Sequence, residues 1–171
     1  LSRVIMVASG KGGTGKSTVC VNLGLSLALS GIKVLLLDMN TGLRTLDLYL
    51  GLENRALFDI GDVLSGNCGL ESAVIETDVS SNLCLLPGTQ SYSCEHITAE
   101  NMADLIEKLD DEYDIVLLDC PPGIGDMIEL CAEVSDEAIM VINADYAALR
   151  DADALEDRLL RCGVWRRNYI L

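Results

Sequence analysis

Histidine occurs once in the 171 residues, at His96, and that scarcity bounds the chemistry. The seven cysteines (20, 68, 84, 94, 120, 131 and 162) form no Cys-x-x-Cys pair and are odd in number. Neither a zinc site nor a disulfide framework is supported. The cysteines read instead as small buried hydrophobes in a reducing cytosol. His96 stands in a polar stretch and reads as solvated rather than catalytic. Basic residues are also few, 12 Lys and Arg against 27 Asp and Glu, for a net charge of −15. That balance argues against nucleic-acid binding, which needs a basic face toward the phosphates. The nearest approach to such a face is Arg158, Arg161, Arg166 and Arg167. These read first as a solvated helix end and second as a contact for an anionic partner. No apolar run is long enough to span a bilayer, because Asn22, Ser26, Ser30 and Lys33 interrupt the longest candidate. No signal peptide is visible, and there is no linker, repeat or low-complexity segment. Half of the residues are hydrophobic, enough for one domain with a sizeable core over residues 1–171.

Residues 10 to 18 read Gly-Lys-Gly-Gly-Thr-Gly-Lys-Ser-Thr, directly after the apolar run Val4-Ile5-Met6-Val7. Gly10, four residues, Gly15, Lys16 and Ser17 match the P-loop template. Glycines let backbone N–H groups turn inward and approach phosphate oxygens closely. A helix starting at Lys16 points partial positive charge at the same anion. Gly10, Lys11, Gly12, Gly13, Thr14, Gly15, Lys16, Ser17 and Thr18 are therefore the candidate nucleotide-binding residues. Lys16 is placed to reach the β- and γ-phosphates, Ser17 to ligate magnesium, and Thr18 to bond the α-phosphate.

Strand-like runs are Val4–Ala8, Lys33–Asp38, Leu83–Leu86, Asp114–Asp119, Glu137–Ile142 and Asn168–Leu171. Helical periodicity fits Lys16–Ser30, Leu57–Ser65, Ala99–Leu109, Met127–Val134 and Ala148–Cys162. Thr98 with Asn101 and Asp126 with Glu129 read as helix starts, and Gly31 as a helix stop. Alternation of helices with wholly apolar strands predicts an α/β fold, a mostly parallel sheet flanked by helices in three layers. In such folds the ligand lies beyond the carboxyl ends of the strands. The loop after the first strand, Asp38 after the second and Asp119 after the fourth all fall on that edge.

Asp119 closes the apolar run Ile115-Val116-Leu117-Leu118, as a Walker B acid does. Its expected task is to hold magnesium through a water, with Ser17 as direct ligand. The plainer reading is an acid capping the next turn. Cys120-Pro121-Pro122-Gly123 follows, and the Gly123 N–H is a candidate donor to a γ-phosphate. A competing reading comes from Gly10-x-Gly12-x-x-Gly15, which also fits the dinucleotide fingerprint, with Asp38 as ribose-binding acid. Lys16-Ser17 and the second acid, Asp119, argue against it, because a dinucleotide site has no use for them.

Lysine directly after the first glycine, at Lys11, is the mark of the MinD/ParA superfamily of deviant Walker A ATPases, which this chain resembles over essentially its whole length. The stretches Gly42–Leu48, Gly51–Arg55, Asn82–Gln90, Asp119–Ile124 and Arg150–Asp153 resemble the septum-site-determining branch in particular. Arg44 favours that branch over the flagellar-number ATPases, which with the ParA-type positioning ATPases are the alternative within the family. The resemblance implies a P-loop ATPase with ATP and Mg2+ as cofactors and a face-to-face homodimer formed on ATP. It implies that Lys11 reaches across to the partner's phosphates, a charge supplied in trans. It also implies a division inhibitor and an ATPase-activating protein as partners. The implied location is cytoplasmic, with the parent protein peripheral at the inner face of the cell membrane.

Departures from the family pattern matter. The second strand ends Asp38-Met39-Asn40, where the family usually carries Asp-x-Asp. Lys11, Lys16, Asp38 and Asn40 are the candidate catalytic residues, but Asn40 cannot accept a proton from the attacking water. The expectation is normal ATP binding with slow hydrolysis, or a nucleotide-gated scaffold that scarcely hydrolyses. Thr45 and Ala144 replace a usual Asn and Pro with no consequence that the sequence reveals. Family chains continue past Leu171 to further strands and a C-terminal amphipathic membrane-targeting helix, so a C-terminally truncated domain is expected.

Overall fold

The computed structural model describes residues 1–90, 95–164 and the backbone of 168–170. The elements in chain order are β1 (Arg3–Ala8), α1 (Lys16–Leu29), β2 (Val34–Asp38), α2 (Leu46–Leu50), α3 (Ile60–Leu64) and α4 (Leu70–Ala73). They continue with β3 (Ile75–Glu76), β4 (Leu83–Leu86), α5 (Ala99–Leu109), β5 (Ile115–Asp119), α6 (Asp126–Glu133), β6 (Glu137–Met140), α7 (Tyr146–Arg161) and β7 (Asn168–Ile170). One sheet of seven strands runs β3-β4-β2-β5-β1-β6-β7. Every neighbouring pair is parallel except β3 on β4. The strand order reverses direction at β1, the strand that feeds the glycine-rich loop.

Strand periodicity sorts the apolar residues into two cores. Val4, Met6 and Ala8 of β1, Leu35 and Leu37 of β2, and Val116 and Leu118 of β5 face α3, α5, α6 and α7. Ile5 and Val7, Val34 and Leu36, and Leu117 face α1 and α2 on the opposite side. Because side chains alternate with period two, a wholly apolar strand supplies both faces at once. This is the three-layer α/β/α arrangement, with the sheet as the middle layer.

The six expected strands and five expected helices lie where the sequence places them, with adjusted ends, and Leu171 lies outside the described residues. The strand expected over Glu137–Ile142 stops at Met140, and the one expected to open at Lys33 opens at Val34. The helix expected over Leu57–Ser65 starts only at Ile60, because Asp59 caps it in a reciprocal capping box with Asp62. Asp126 is not the cap of α6; Gly125 holds that position and no side chain caps the helix. Helix α7 begins at Tyr146, two residues before the expected start, where the Asp145 side chain accepts from the Ala148 N–H. Thr98 does cap α5 by accepting from the Asn101 N–H. Gly31, at φ 89°, follows the end of α1 as a helix stop does.

The short elements α2, α4 and β3 were not expected. Cys20, Cys84, Cys120 and Cys131 are buried and Cys68 and Cys162 half-buried, all free thiols; Cys94 lies outside the described residues. Burial pushes the Cys20 and Cys120 thiols well up, so both stay protonated and inert. His96 is exposed, in keeping with a solvated side chain. Arg158 forms an ion pair with Glu129 on α6, and Arg166 and Arg167 lie outside the described residues. Among the described residues no helix is long and apolar enough to cross a membrane.

Candidate functional site

The loop between β1 and α1 has a geometry that could receive an anion. Gly13 and Gly15 take φ of 76° and 97°, left-handed values that a side chain disfavours, and this lets the chain double back over the helix end. Helix α1 has no side-chain cap and no acid in its first turn. The first N–H groups of a 14-residue helix are thus left facing the loop. Thr14 Oγ1 is buried without a hydrogen-bond partner, one more donor not used by the protein.

Lys16 is 7% exposed, and its Nζ donates to Ser9 Oγ at 3.3 Å. Burial holds its pKa below the usual lysine value, while the Asp119 carboxylate and Cys120 pull the other way. Ser17 Oγ donates to Asp119 Oδ2 at 2.7 Å, joining the start of α1 to the end of β5. The other oxygen of Asp119, Oδ1, is buried and has no partner. Burial pushes the Asp119 carboxyl up to about 6, against the Ser17 hydrogen bond; the Asp38 charge adds to the rise, and Lys16 and Asn40 oppose it. A hydroxyl and a carboxylate with an unused oxygen form a donor set that could hold a hard, oxygen-seeking cation such as Mg2+.

Asp38 and Asp119 stand opposite one another at the ends of β2 and β5, in the register of the parallel ladder. Asp38 is 1% exposed and fully engaged. Its Oδ2 accepts from the Thr45 and Leu46 N–H groups at 2.8 and 3.1 Å, and its Oδ1 from Asn40 N and Nδ2 at 2.9 and 3.0 Å. Burial raises its pKa, and those hydrogen bonds counter the rise. Asp38 therefore holds the loop from Met39 to Thr45 in shape, whatever else it does. Thr45 serves that anchoring through its backbone, while its own Oγ1 is buried without a partner.

Asn40 lies between the two acids. Its Nδ2 donates to Asp38 Oδ1, to Asp119 Oδ2 at 3.1 Å and to the Asp119 carbonyl at 3.3 Å. The turn after β5 touches the glycine-rich loop as well. The Gly123 N–H donates to the Ser9 carbonyl at 3.0 Å, so in this state that donor is in use. The loop thus gathers Lys16, Ser17, Asp38, Asn40, Asp119 and the Gly123 turn at one edge of the sheet.

Lys11 points elsewhere. Its Nζ lies 2.8 Å from Asp145 Oδ2, on the cap of α7. Asp145 escaped the sequence reading, although an acid three residues before Ala148 is an N-cap signal. Two further contacts were not legible. Ser9 Oγ bonds the Lys11 carbonyl, and a Cβ on Gly10 would lie 2.6 Å from the Asp151 carbonyl oxygen of α7. Gly10 is thus required for α7 to approach the loop, beyond any dealing with phosphate.

Comparison with known proteins agrees with this geometry. The AAA domain family model matches residues 2–161. The putative septum site-determining protein MinD of Guillardia theta is 44% identical over 153 residues, covering 90% of this chain and 57% of that protein. The chain thus spans a little over half the length of that relative. Among solved structures, the MinC:MinD cell division protein complex of Aquifex aeolicus superposes with a TM-score of 0.88 at 37% identity, covering 99% of this chain and 67% of that one. The septum site-determining protein MinD of Pyrococcus horikoshii, complexed with Mg-ADP, gives 0.83 at 33% identity, covering 100% of this chain and 68% of that one. The glycine-rich loop with its leading lysine, the acid-ended strands and these matches together mean that the chain belongs to the AAA domain family and, within it, to the MinD group of the MinD/ParA superfamily.

Proposed function

We propose that the chain is the nucleotide-binding part of a MinD-type ATPase that binds ATP with Mg2+ and pairs with a second copy in the ATP state. In this reading it serves the placement of the division site. The single observation carrying it is the Ser17–Asp119 hydrogen bond at 2.7 Å, which joins a P-loop serine to a Walker B acid beside the uncapped end of α1. The Asp119 oxygen without a partner supports a cation bound nearby. The relative of known structure that carries Mg-ADP supports the choice of ligand.

The placement of the residues supports the following roles. The N–H groups of residues 12–18 and the Lys16 ammonium bind the phosphates, and Ser17 and Asp119 would hold the metal. Magnesium, when bound, neutralises phosphate charge as it develops during transfer. Lys16, itself 7% exposed, adds fixed positive charge beside the phosphates. Asn40 orients the attacking water without taking its proton. Gly123 exchanges its bond to Ser9 for one to the γ-phosphate, which makes the turn after β5 the nucleotide sensor. Lys11 leaves Asp145 and reaches the phosphates of the second copy. The MinC:MinD complex of the Aquifex relative supports a division inhibitor as partner. An ATPase-activating protein and peripheral attachment of the parent protein to the inner face of the membrane complete the reading.

Titration with a fluorescent ATP analogue in Mg2+, with NAD as competitor, tests binding. Light scattering in ATP and in ADP tests pairing. Saturable binding unmoved by NAD, with a mass that doubles in ATP alone, is the expected outcome; displacement by NAD sinks the reading. A second reading, a nucleotide-gated scaffold that hardly hydrolyses, is favoured by Asn40. Steady-state phosphate release with partner and membrane vesicles present separates the two, because a scaffold releases none above background.

A further inference from the structure

Position 40 sits where two buried carboxylates meet. Asp38 and Asp119 are 1% and 0% exposed and are paired across β2 and β5. Two like charges this close in a poorly solvated place repel strongly unless something lies between them. The ammonium of Lys16 donates to Ser9 Oγ, and Ser17 supplies one neutral donor to Asp119 Oδ2. The group that contacts both acids is the Asn40 amide, at 3.0 Å from Asp38 Oδ1 and 3.1 Å from Asp119 Oδ2. Its orientation follows from its partners, which are all acceptors: two carboxylate oxygens and the Asp119 carbonyl, so the NH2 end must face them.

We propose that Asn40 is a clasp that assembles the site without metal, supplying between Asp38 and Asp119 the donors that a divalent cation or a proton would otherwise have to supply. The proposal rests on the nucleotide-binding reading only for its consequence, which is that ATP enters a site already closed and depends less on Mg2+ for entry. An aspartate at 40 has the same shape but no donors. It would place acceptor oxygens against acceptor oxygens, three acids in one small volume, and the loop from Met39 to Thr45 would settle only when a cation or proton arrived. Asn40 leaves Asp119 Oδ1 without a partner, so clasp and cation need not compete for the same atom. Asn40 is thus a positioning residue that acts through the two acids.

The test compares the chain with Asn40→Asp and Asn40→Ala at pH 7.5. Melting of the nucleotide-free proteins is followed in EDTA and in Mg2+, and a fluorescent ATP analogue is titrated in the same two buffers. The unaltered chain is expected to melt within about 1 °C in the two buffers, while Asn40→Asp falls by about 4 °C or more in EDTA and recovers in Mg2+. Asn40→Ala, which removes the donors without adding charge, falls less and recovers in part. The ratio of ATP-analogue affinity in Mg2+ to that in EDTA is expected to be about tenfold larger for Asn40→Asp than for the unaltered chain. A residue that merely packs would lower melting equally in both buffers and leave that ratio alone. Equal responses of all three proteins to EDTA overturn the clasp. Failure of every protein to bind the analogue in either buffer overturns the nucleotide-binding reading instead, and the melting comparison then still decides the clasp.

Discussion

Lys11 Nζ lies 2.8 Å from Asp145 Oδ2, so the lysine that marks this loop is tied to the cap of α7 on its own chain. Both side chains are substantially exposed, and exposed ion pairs add little to stability. Their interest lies in what the pair withholds. A lysine held by its own chain is not available to a second copy.

Asp145→Asn keeps a capping oxygen for the Ala148 N–H and removes the charge. Its melting temperature is expected to match that of the parent. Its ATP-dependent pairing, measured by light scattering against protein concentration, is expected to set in at lower concentration. Asp145→Ala should show the same gain in pairing but melt earlier, having lost the cap as well. Unchanged pairing in both variants would mean that the pair is incidental.

How much of this was legible in the sequence follows the range of the interactions. β1, β2, β4 and β5 were legible because an unbroken apolar run bounded by turns or acids admits few other structures. α2 and α4, of five and four residues, are too short to show a 3.6-residue period. Leu57 and Phe58 are apolar and continue the helical pattern back from Ile60, yet they lie on the surface, Leu57 at 85% exposure. The candidate residues converge on one edge because the strand ends carry them there. What those residues touch was not legible. Asn40 and Asp119 are 79 positions apart, and Lys11 and Asp145 134 apart; only the assembled sheet puts them in contact.

Asp119 predicts a pH dependence with a definite sign. Its folded-state value is raised from 3.8 to about 6, so between those values the folded chain keeps a proton that the unfolded chain has lost. Its contribution to stability is full below about 4 and is lost as the pH rises through 6; Asp38, also raised, acts in the same direction. Asp119→Asn removes the effect. In EDTA and without nucleotide, the variant should gain on the parent across this range, by on the order of 1–3 kcal/mol at pH 7.5. Urea denaturation from pH 4.5 to 7.5 gives the difference directly. Parallel stability curves for the two proteins would show that the carboxyl titrates as an ordinary acid.

Asp38 predicts local rather than global damage. It accepts from the N–H groups of Asn40, Thr45 and Leu46, and Asp38→Ala leaves those donors without it. Each stranded donor costs about 1–3 kcal/mol, offset in part because a buried carboxylate is also removed. The net loss is expected to be about 2 kcal/mol. Amide hydrogen exchange should localise it, with a larger acceleration at 40, 45 and 46 than in β1 or β5. Uniform acceleration across the sheet would assign Asp38 to the core instead of the loop.

Two glycines separate a collision with backbone from a collision with a side chain. A Cβ on Gly24, inside α1, would lie 2.7 Å from Leu36 Cδ2 and 3.3 Å from Leu83 Cδ1, the far ends of side chains rather than backbone. The same substitution gains about 1 kcal/mol of helix propensity, so Gly24→Ala is expected to change stability by less than about 1 kcal/mol in either direction. A Cβ on Gly10 would lie 2.6 Å from the Asp151 carbonyl oxygen and 2.8 Å from its carbonyl carbon, atoms of the α7 backbone that no rotamer change can move. Helix α7 must then shift as a body, carrying Asp145 away from Lys11. Gly10→Ala is therefore expected to cost about 1–3 kcal/mol in urea denaturation, well beyond Gly24→Ala. It should also raise exchange at the amides of α7 selectively. Equal costs at the two sites would mean that α7 rests on the loop loosely enough to yield, and the coupling between loop and helix would then be too soft to transmit nucleotide state.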